Sequence, residues 1–148
     1  MSGLEHGELL LGASFDDLED NSRIFYINDD IDMHSVSGII KAINRINSED
    51  SKTKYDYAYE GHVYNPKPIK IYVSSFGGSI YDGLALVGAI ESSDTPVHTI
   101  VNGKAMSMGV IIALAGHKRY ATKYSTFMVH SVSSVTWGQL KDMEEKKL

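Results

Sequence analysis

The sequence contains no cysteine, which excludes disulfides and thiolate metal sites and leads us to expect a cytoplasmic protein. Basic charge is in short supply as well. Lys and Arg total 14 against 19 Asp and Glu, a formal charge of −5. A nucleic-acid footprint needs clustered basic residues, so no nucleic-acid partner is expected. Long apolar runs are missing too. The longest, Val110 to Ala115, is far too short to span a bilayer, and no membrane association is expected. Leu9-Leu10-Leu11 follows acidic rather than basic residues, unlike a secretory signal. The six histidines show no ligand spacing and no H-E-x-x-H occurs, so no metal is expected. Neither G-x-G-x-x-G nor G-x-x-x-x-G-K-[ST] is present, which weakens any nucleotide-binding reading.

What remains is an ordinary globular composition, 43% hydrophobic and 22% charged over 148 residues, enough for one domain with a normal core. The acidic, weakly patterned stretch 1–21 reads as a mobile arm, with the core over 22–148. Arg23 to Ile27 reads as a strand, ended by Asn28-Asp29-Asp30. Asp32 then caps a helix whose apolar residues Met33, Val36, Ile39, Ile40, Ile43 and Ile46 recur at helical spacing. The polar, tyrosine-rich stretch 47–68, closed by Pro66-Lys67-Pro68, is expected to be an inserted surface loop or small hairpin. Its tyrosines read as solvated loop packing ahead of a contact patch.

Ile69 to Val73 alternates as a strand does, and from Ile80 a helical pattern runs through Leu84, Val87 and Ile90 to Glu91. Val97 to Val101 is the next strand, followed by a Gly103-containing bend and an apolar helix that begins at Ser107. Gly116 is expected to close that helix in a left-handed conformation, and the helix is too apolar for the surface. Arg119 to Ala121 and Phe127 to His130 read as short strands. A capping box at Thr136 and Gln139 opens a charged helix from about Trp137. The alternation of strand and helix implies an α/β fold, a mostly parallel sheet covered by helices, with loop chemistry at the carboxyl ends of the strands.

Two readings stand open at Ser107. Serine is a favoured N-cap residue, and a helix start also gathers free N–H groups suited to an oxyanion. Gly77 and Gly78 could form a tight turn or a nest of N–H groups around an anion. His130, at a strand end, could be a core histidine or a base. Together they are the parts of an acyl-transfer site. Ser107 would attack, His130 would move its proton, and the N–H groups of Gly78 and Met108 would hold the oxyanion.

The blocks Tyr72-Val73-Ser74-Ser75-Phe76-Gly77-Gly78-Ser79-Ile80, Asn102-Gly103-Lys104-Ala105-Met106-Ser107-Met108-Gly109 and Phe127-Met128-Val129-His130 resemble the proteolytic subunit of the Clp protease. That family reads N-S-P-G-G, G-x-A-A-S-M-G and M-I-H in the same order, and the similarity runs roughly from Arg23 to the end. The resemblance implies the ClpP/crotonase fold, built of stacked β-α units, and an ATP-dependent serine endopeptidase that cuts unfolded polypeptides inside a chamber. It implies Ser107 as nucleophile, His130 as general base, and the Gly78 and Met108 amides as oxyanion hole, with Gly77 and Phe76 beside the substrate. It implies no cofactor, a homo-oligomer of heptameric rings, and a Clp-type AAA+ ATPase as partner.

Phe76 stands where the family has proline, and Met106 where it has alanine. The family's catalytic aspartate lies several tens of residues past the histidine, whereas here only Asp142 follows His130, at the opening of the last helix. That helix would normally continue into the handle joining two rings. Loss of the acid in a serine protease costs about 10⁴ in turnover. The alternative is therefore a non-catalytic Clp-like subunit that co-assembles with a complete one or modulates it. A crotonase-type reaction on acyl-CoA would keep the fold, but the pairing of Ser107 with His130 speaks against it.

Overall fold

The computed structural model describes residues 21–131. The arm expected over 1–21 lies outside them except for Asn21, as do Thr136, Asp142 and the helix expected from about Trp137. The elements follow the expected alternation: β1 (Ile24–Ile27), α1 (Met33–Tyr59), β2 (Ile69–Ser75), α2 (Ile80–Glu91), β3 (Val97–Met106), α3 (Met108–Ala115), β4 (Lys118–Ala121) and β5 (Thr126–Met128). They build a five-stranded sheet in the order β1-β2-β3-β4, with β5 also paired to β3 and every pairing parallel. The chain is an α/β protein with a parallel sheet flanked by helices.

Strand alternation explains where the core sits. Ile69, Ile71, Val73 and Ser75 of β2 and Val97, Thr99 and Val101 of β3 are buried, while the residues between them are only half-buried. The buried face carries the helices. Val36, Ile39, Ile43 and Ile46 of α1, Leu86 and Ile90 of α2, and Met108 and Ile112 of α3 complete one continuous core. α1 packs on α2, and α2 on α3. Asp32 caps α1 as expected. Its Oδ1 accepts from the Ser35 amide at 2.8 Å, and Ser35 Oγ accepts from the Asp32 amide at 3.0 Å.

Four expectations need correction. Most of the inserted loop is helical, since α1 runs on to Tyr59 and leaves only 60–68 irregular. The buried stripe of α1 continues past Ile46 in polar form, to Asp50. Asp50 accepts from Arg23 Nη2 at 2.6 Å, Thr95 Oγ1 at 2.7 Å and the Tyr64 hydroxyl at 2.8 Å. Asn47 bonds Ser93 Oγ and the Thr95 amide. A stripe that turns polar is invisible to a hydrophobic pattern.

The strand β3 does not end at Val101 either. Val101 pairs with Val73 and Ala105 with Ser75, so the segment around Gly103 bulges within the strand instead of ending it. A Cβ on Gly103 would lie 2.8 Å from Ser74 Oγ, so the bulge brings the two strands close there. Finally, Gly116 is not left-handed, with φ −59° and ψ 142°. Its smallness is what matters, because a Cβ there would meet Thr99 Oγ1 at 2.4 Å and the Lys118 carbonyl at 2.9 Å. The helix it closes is also not fully inside: Ile111 and Leu114 are exposed.

Candidate active site

The end of β3 sets the site. β5 pairs with β3 so that Met106 stands opposite Met128, and the Ser107 amide donates to the Met128 carbonyl at 2.8 Å. Continuing that register carries the chain two residues beyond Met128 to His130, alongside Ser107. There Ser107 Oγ lies 2.9 Å from His130 Nε2. His130 Nδ1 lies 2.8 Å from the Ser131 carbonyl oxygen. A carbonyl can only accept, so Nδ1 carries the proton and the lone pair of Nε2 faces the serine hydroxyl.

Ser107 is not acting as a side-chain cap. Its hydroxyl makes no capping bond, and its backbone sits at φ 51°, ψ −120°. It has the only positive φ outside glycine among the described residues. Such a conformation costs about 1–3 kcal/mol and survives only where the surroundings enforce it. Here the strand register on one side and the buried start of α3 on the other do so. The turn directs Oγ out of the helix start toward the imidazole. Of the two readings open at Ser107, capping is the one the hydrogen bonds do not support.

The glycine turn after β2 meets the same spot. A Cβ on Gly77 would lie 3.0 Å from Ser107 Cβ and 3.3 Å from the Met108 amide nitrogen. Gly77 and Gly78 adopt φ 106° and 153°, which only glycine accepts readily. Gly78 also forms an isolated parallel bridge with Ile31, where its own Cβ would lie 2.3 Å from the carbonyl oxygen. The amides of Gly78 and Met108 have no hydrogen-bond partner among the described residues. Two free donors near a hydroxyl paired to an imidazole can stabilise the negative charge that develops when a carbonyl is attacked.

Phe76 is exposed and lines a cleft of about 630 Å³ at the carboxyl ends of the strands, together with Asp29, Asp30, Ser74 and Lys104. The Lys104 ammonium lies 4.5 Å from the centre of the Phe76 ring. The cleft therefore has a lining of both charges and an aromatic ring beside the glycine turn.

Sequence reasoning missed two kinds of group here. Main-chain carbonyls such as those of Met128 and Ser131 carry no residue signature at all. Ser75, whose hydroxyl donates to the Asp29 carbonyl at 2.7 Å and accepts from the Gly77 amide at 3.1 Å, did leave a signal. It is a polar residue at a strand position where the alternation calls for an apolar one.

A family model described as Clp protease matches residues 13–147. The chain is 33% identical over 128 residues to the ATP-dependent Clp protease proteolytic subunit 1 of Protochlamydia amoebophila, covering 84% of this chain and 55% of that protein. It is 42% identical over 82 residues to a proteolytic subunit 2 from Bacillus licheniformis, covering 54% of this chain and 43% of the relative. A proteolytic subunit 2 from Synechococcus is 28% identical over 123 residues, 82% of this chain and 55% of the relative. The chain thus spans about half the length of the curated relatives it matches.

Proposed function

The chain belongs to the Clp protease family, and from that premise we propose that it is a serine-type endopeptidase subunit that hydrolyses peptide bonds of unfolded polypeptides. The observation that carries this reading is the 2.9 Å contact between Ser107 Oγ and His130 Nε2 at a strained strand-to-helix turn. Ser107 Oγ attacks the scissile carbonyl while Nε2 takes its proton. The amides of Gly78 and Met108 hold the oxyanion, and the imidazolium then protonates the leaving amine. Water repeats the sequence on the acyl-enzyme and restores the hydroxyl. Phe76 and Gly77 border the substrate.

No cofactor takes part in this scheme, and ATP belongs to a Clp-type AAA+ partner that unfolds and feeds the substrate in the cytoplasm. The subunit assembles into heptameric rings, as the family resemblance implies, and an exposed sheet face among the described residues offers a contact surface. Parallel sheets are normally covered on both faces, yet here Tyr26 is 57% exposed and stacks on Tyr72 at 5.1 Å between ring centres. A fluorophosphonate probe should label the wild-type chain at Ser107 and leave Ser107→Ala unlabelled. A wild-type chain that resists the probe defeats the peptidase reading.

One observation favours a second reading, a non-catalytic subunit that co-assembles with a complete proteolytic subunit. The acceptor on His130 Nδ1 is the neutral Ser131 carbonyl. It fixes the tautomer but supplies no negative charge to the imidazolium. Mixing the chain with an active ring decides this reading, which requires co-elution or a changed rate of peptide hydrolysis.

A further inference from the structure

We propose that Ser75 is a positioning residue of this site: its buried hydroxyl sets the orientation in which the Gly77–Gly78 peptide offers its N–H beside Ser107. The proposal rests on the peptidase reading above and adds a residue to it.

Ser75 is the last residue of β2 and only 1% exposed, on the face where Ile69, Ile71 and Val73 are buried. A hydroxyl in that row must satisfy itself locally, and it does so in both directions. It donates to the Asp29 carbonyl at 2.7 Å and accepts from the Gly77 amide at 3.1 Å. The Ile31 amide then donates to the Gly77 carbonyl at 2.9 Å, and the Ser79 amide donates to the Ile31 carbonyl at 2.7 Å. With Gly77 N–H, Gly77 C=O and Ser79 N–H all engaged, the Gly78 N–H is the donor in the turn that stays free among the described residues.

Two successive glycines at positive φ have little conformational preference of their own, so these bonds choose the direction of the free N–H. Ser75 also touches the second donor's element. A Cβ on Gly109 would lie 3.3 Å from the Ser75 carbonyl oxygen and 3.8 Å from Ser75 Cβ, so the first turn of α3 rests on this residue. One residue thereby references both, the Gly78 amide through its hydroxyl and the helix that begins with Met108 through its carbonyl and Cβ.

The test compares acylation of the full chain by a peptide ester and by its thionoester, in wild type, Ser75→Ala and Ser75→Cys. Misplacement of a catalytic group by about 1 Å costs up to roughly 100-fold in rate. Ser75→Ala is expected to acylate roughly 10- to 100-fold more slowly with little change in KM. Its preference for the oxygen ester should shrink as well, because the lost interaction is one with the oxyanion. The near-isosteric Ser75→Cys, a weak hydrogen-bonding group, should move the same way by less, and it carries the test if the alanine variant does not fold. An equal fall for both esters would mark a merely structural role and overturn the inference. So would wild-type rates in a folded variant, while the peptidase reading stood. A wild-type chain that reacts with neither ester overturns both.

Discussion

A serine held at φ 51°, where the other described residues with positive φ are glycines, is under strain at the place where chemistry is proposed. Glycine relieves that strain and alanine does not. Ser107→Gly should therefore be more stable than Ser107→Ala by about 1–2 kcal/mol, measured by urea unfolding, while neither variant takes up a fluorophosphonate. Comparing the two removes the lost hydroxyl from the difference. Equal stabilities would show that the turn is relaxed. Gly116 makes the contrasting case, since its φ is ordinary and its Cβ position is blocked by Thr99. Gly116→Ala should cost about 1–3 kcal/mol through overpacking, visible as a lowered Tm. In the sequence Ser107 reads as a helix cap or a nucleophile and Gly116 as a left-handed helix end, and neither the strain at one nor the crowding at the other is part of those readings. Backbone strain and lack of space for a Cβ come from neighbours distant in the chain, so neither could be read locally.

At the scale of elements, one carboxylate of α1 ties it to the starts of β1 and β3 and to the loop before β2. Burial pushes the Asp50 carboxyl up, but hydrogen bonds from Arg23, Thr95 and Tyr64 and the guanidinium charge outweigh it and bring its pKa down to about 2. The Arg23 guanidinium is held above its ordinary value, first by its hydrogen bond to Asp50 and against its own burial. A carboxylate with a depressed folded pKa stabilises the fold fully above its ordinary value near 3.8 and loses that contribution as the pH falls toward 2. The contribution amounts to about 2 kcal/mol. Unfolding free energies at pH 5 and pH 2.5 should therefore differ by less in Asp50→Asn than in wild type, and Asp50→Ala should lose about 3–5 kcal/mol at neutral pH by leaving Arg23 unpaired. An unchanged pH dependence in the asparagine variant would mean that another group carries it. The first half of α1 was legible because Val36, Ile39 and Ile43 keep a helical period. The second half was not, because its packing surface is made of Asn47 and Asp50, whose partners Ser93, Thr95 and Tyr64 are remote or outside the helix.

For the whole molecule, the notable feature is uneven covering. Among the described residues the helices bury one face of the sheet, while Tyr26 on the other face, Leu114 and Phe127 near β4, and Ile111 of α3 are exposed. Surfaces of this kind generally mark interaction sites. The native mass of the full chain at micromolar concentration is expected to exceed the 16.3 kDa of a monomer. Tyr26→Asp, at an exposed position of the open face, should shift the distribution toward monomer without lowering Tm. A wild-type chain that stays monomeric by analytical ultracentrifugation would remove the open face as an assembly surface.

The alternation of strand and helix, the Asp32 cap, and the pairing of Ser107 with His130 through three separated blocks could all be read from residue order. Each of these depends on local periodicity, on capping chemistry or on a motif. The Ser131 carbonyl on His130, the bulge at Gly103 and the polar continuation of α1 needed the folded chain. These are matters of main-chain direction and of partners far away along the chain, and neither leaves a pattern in neighbouring letters.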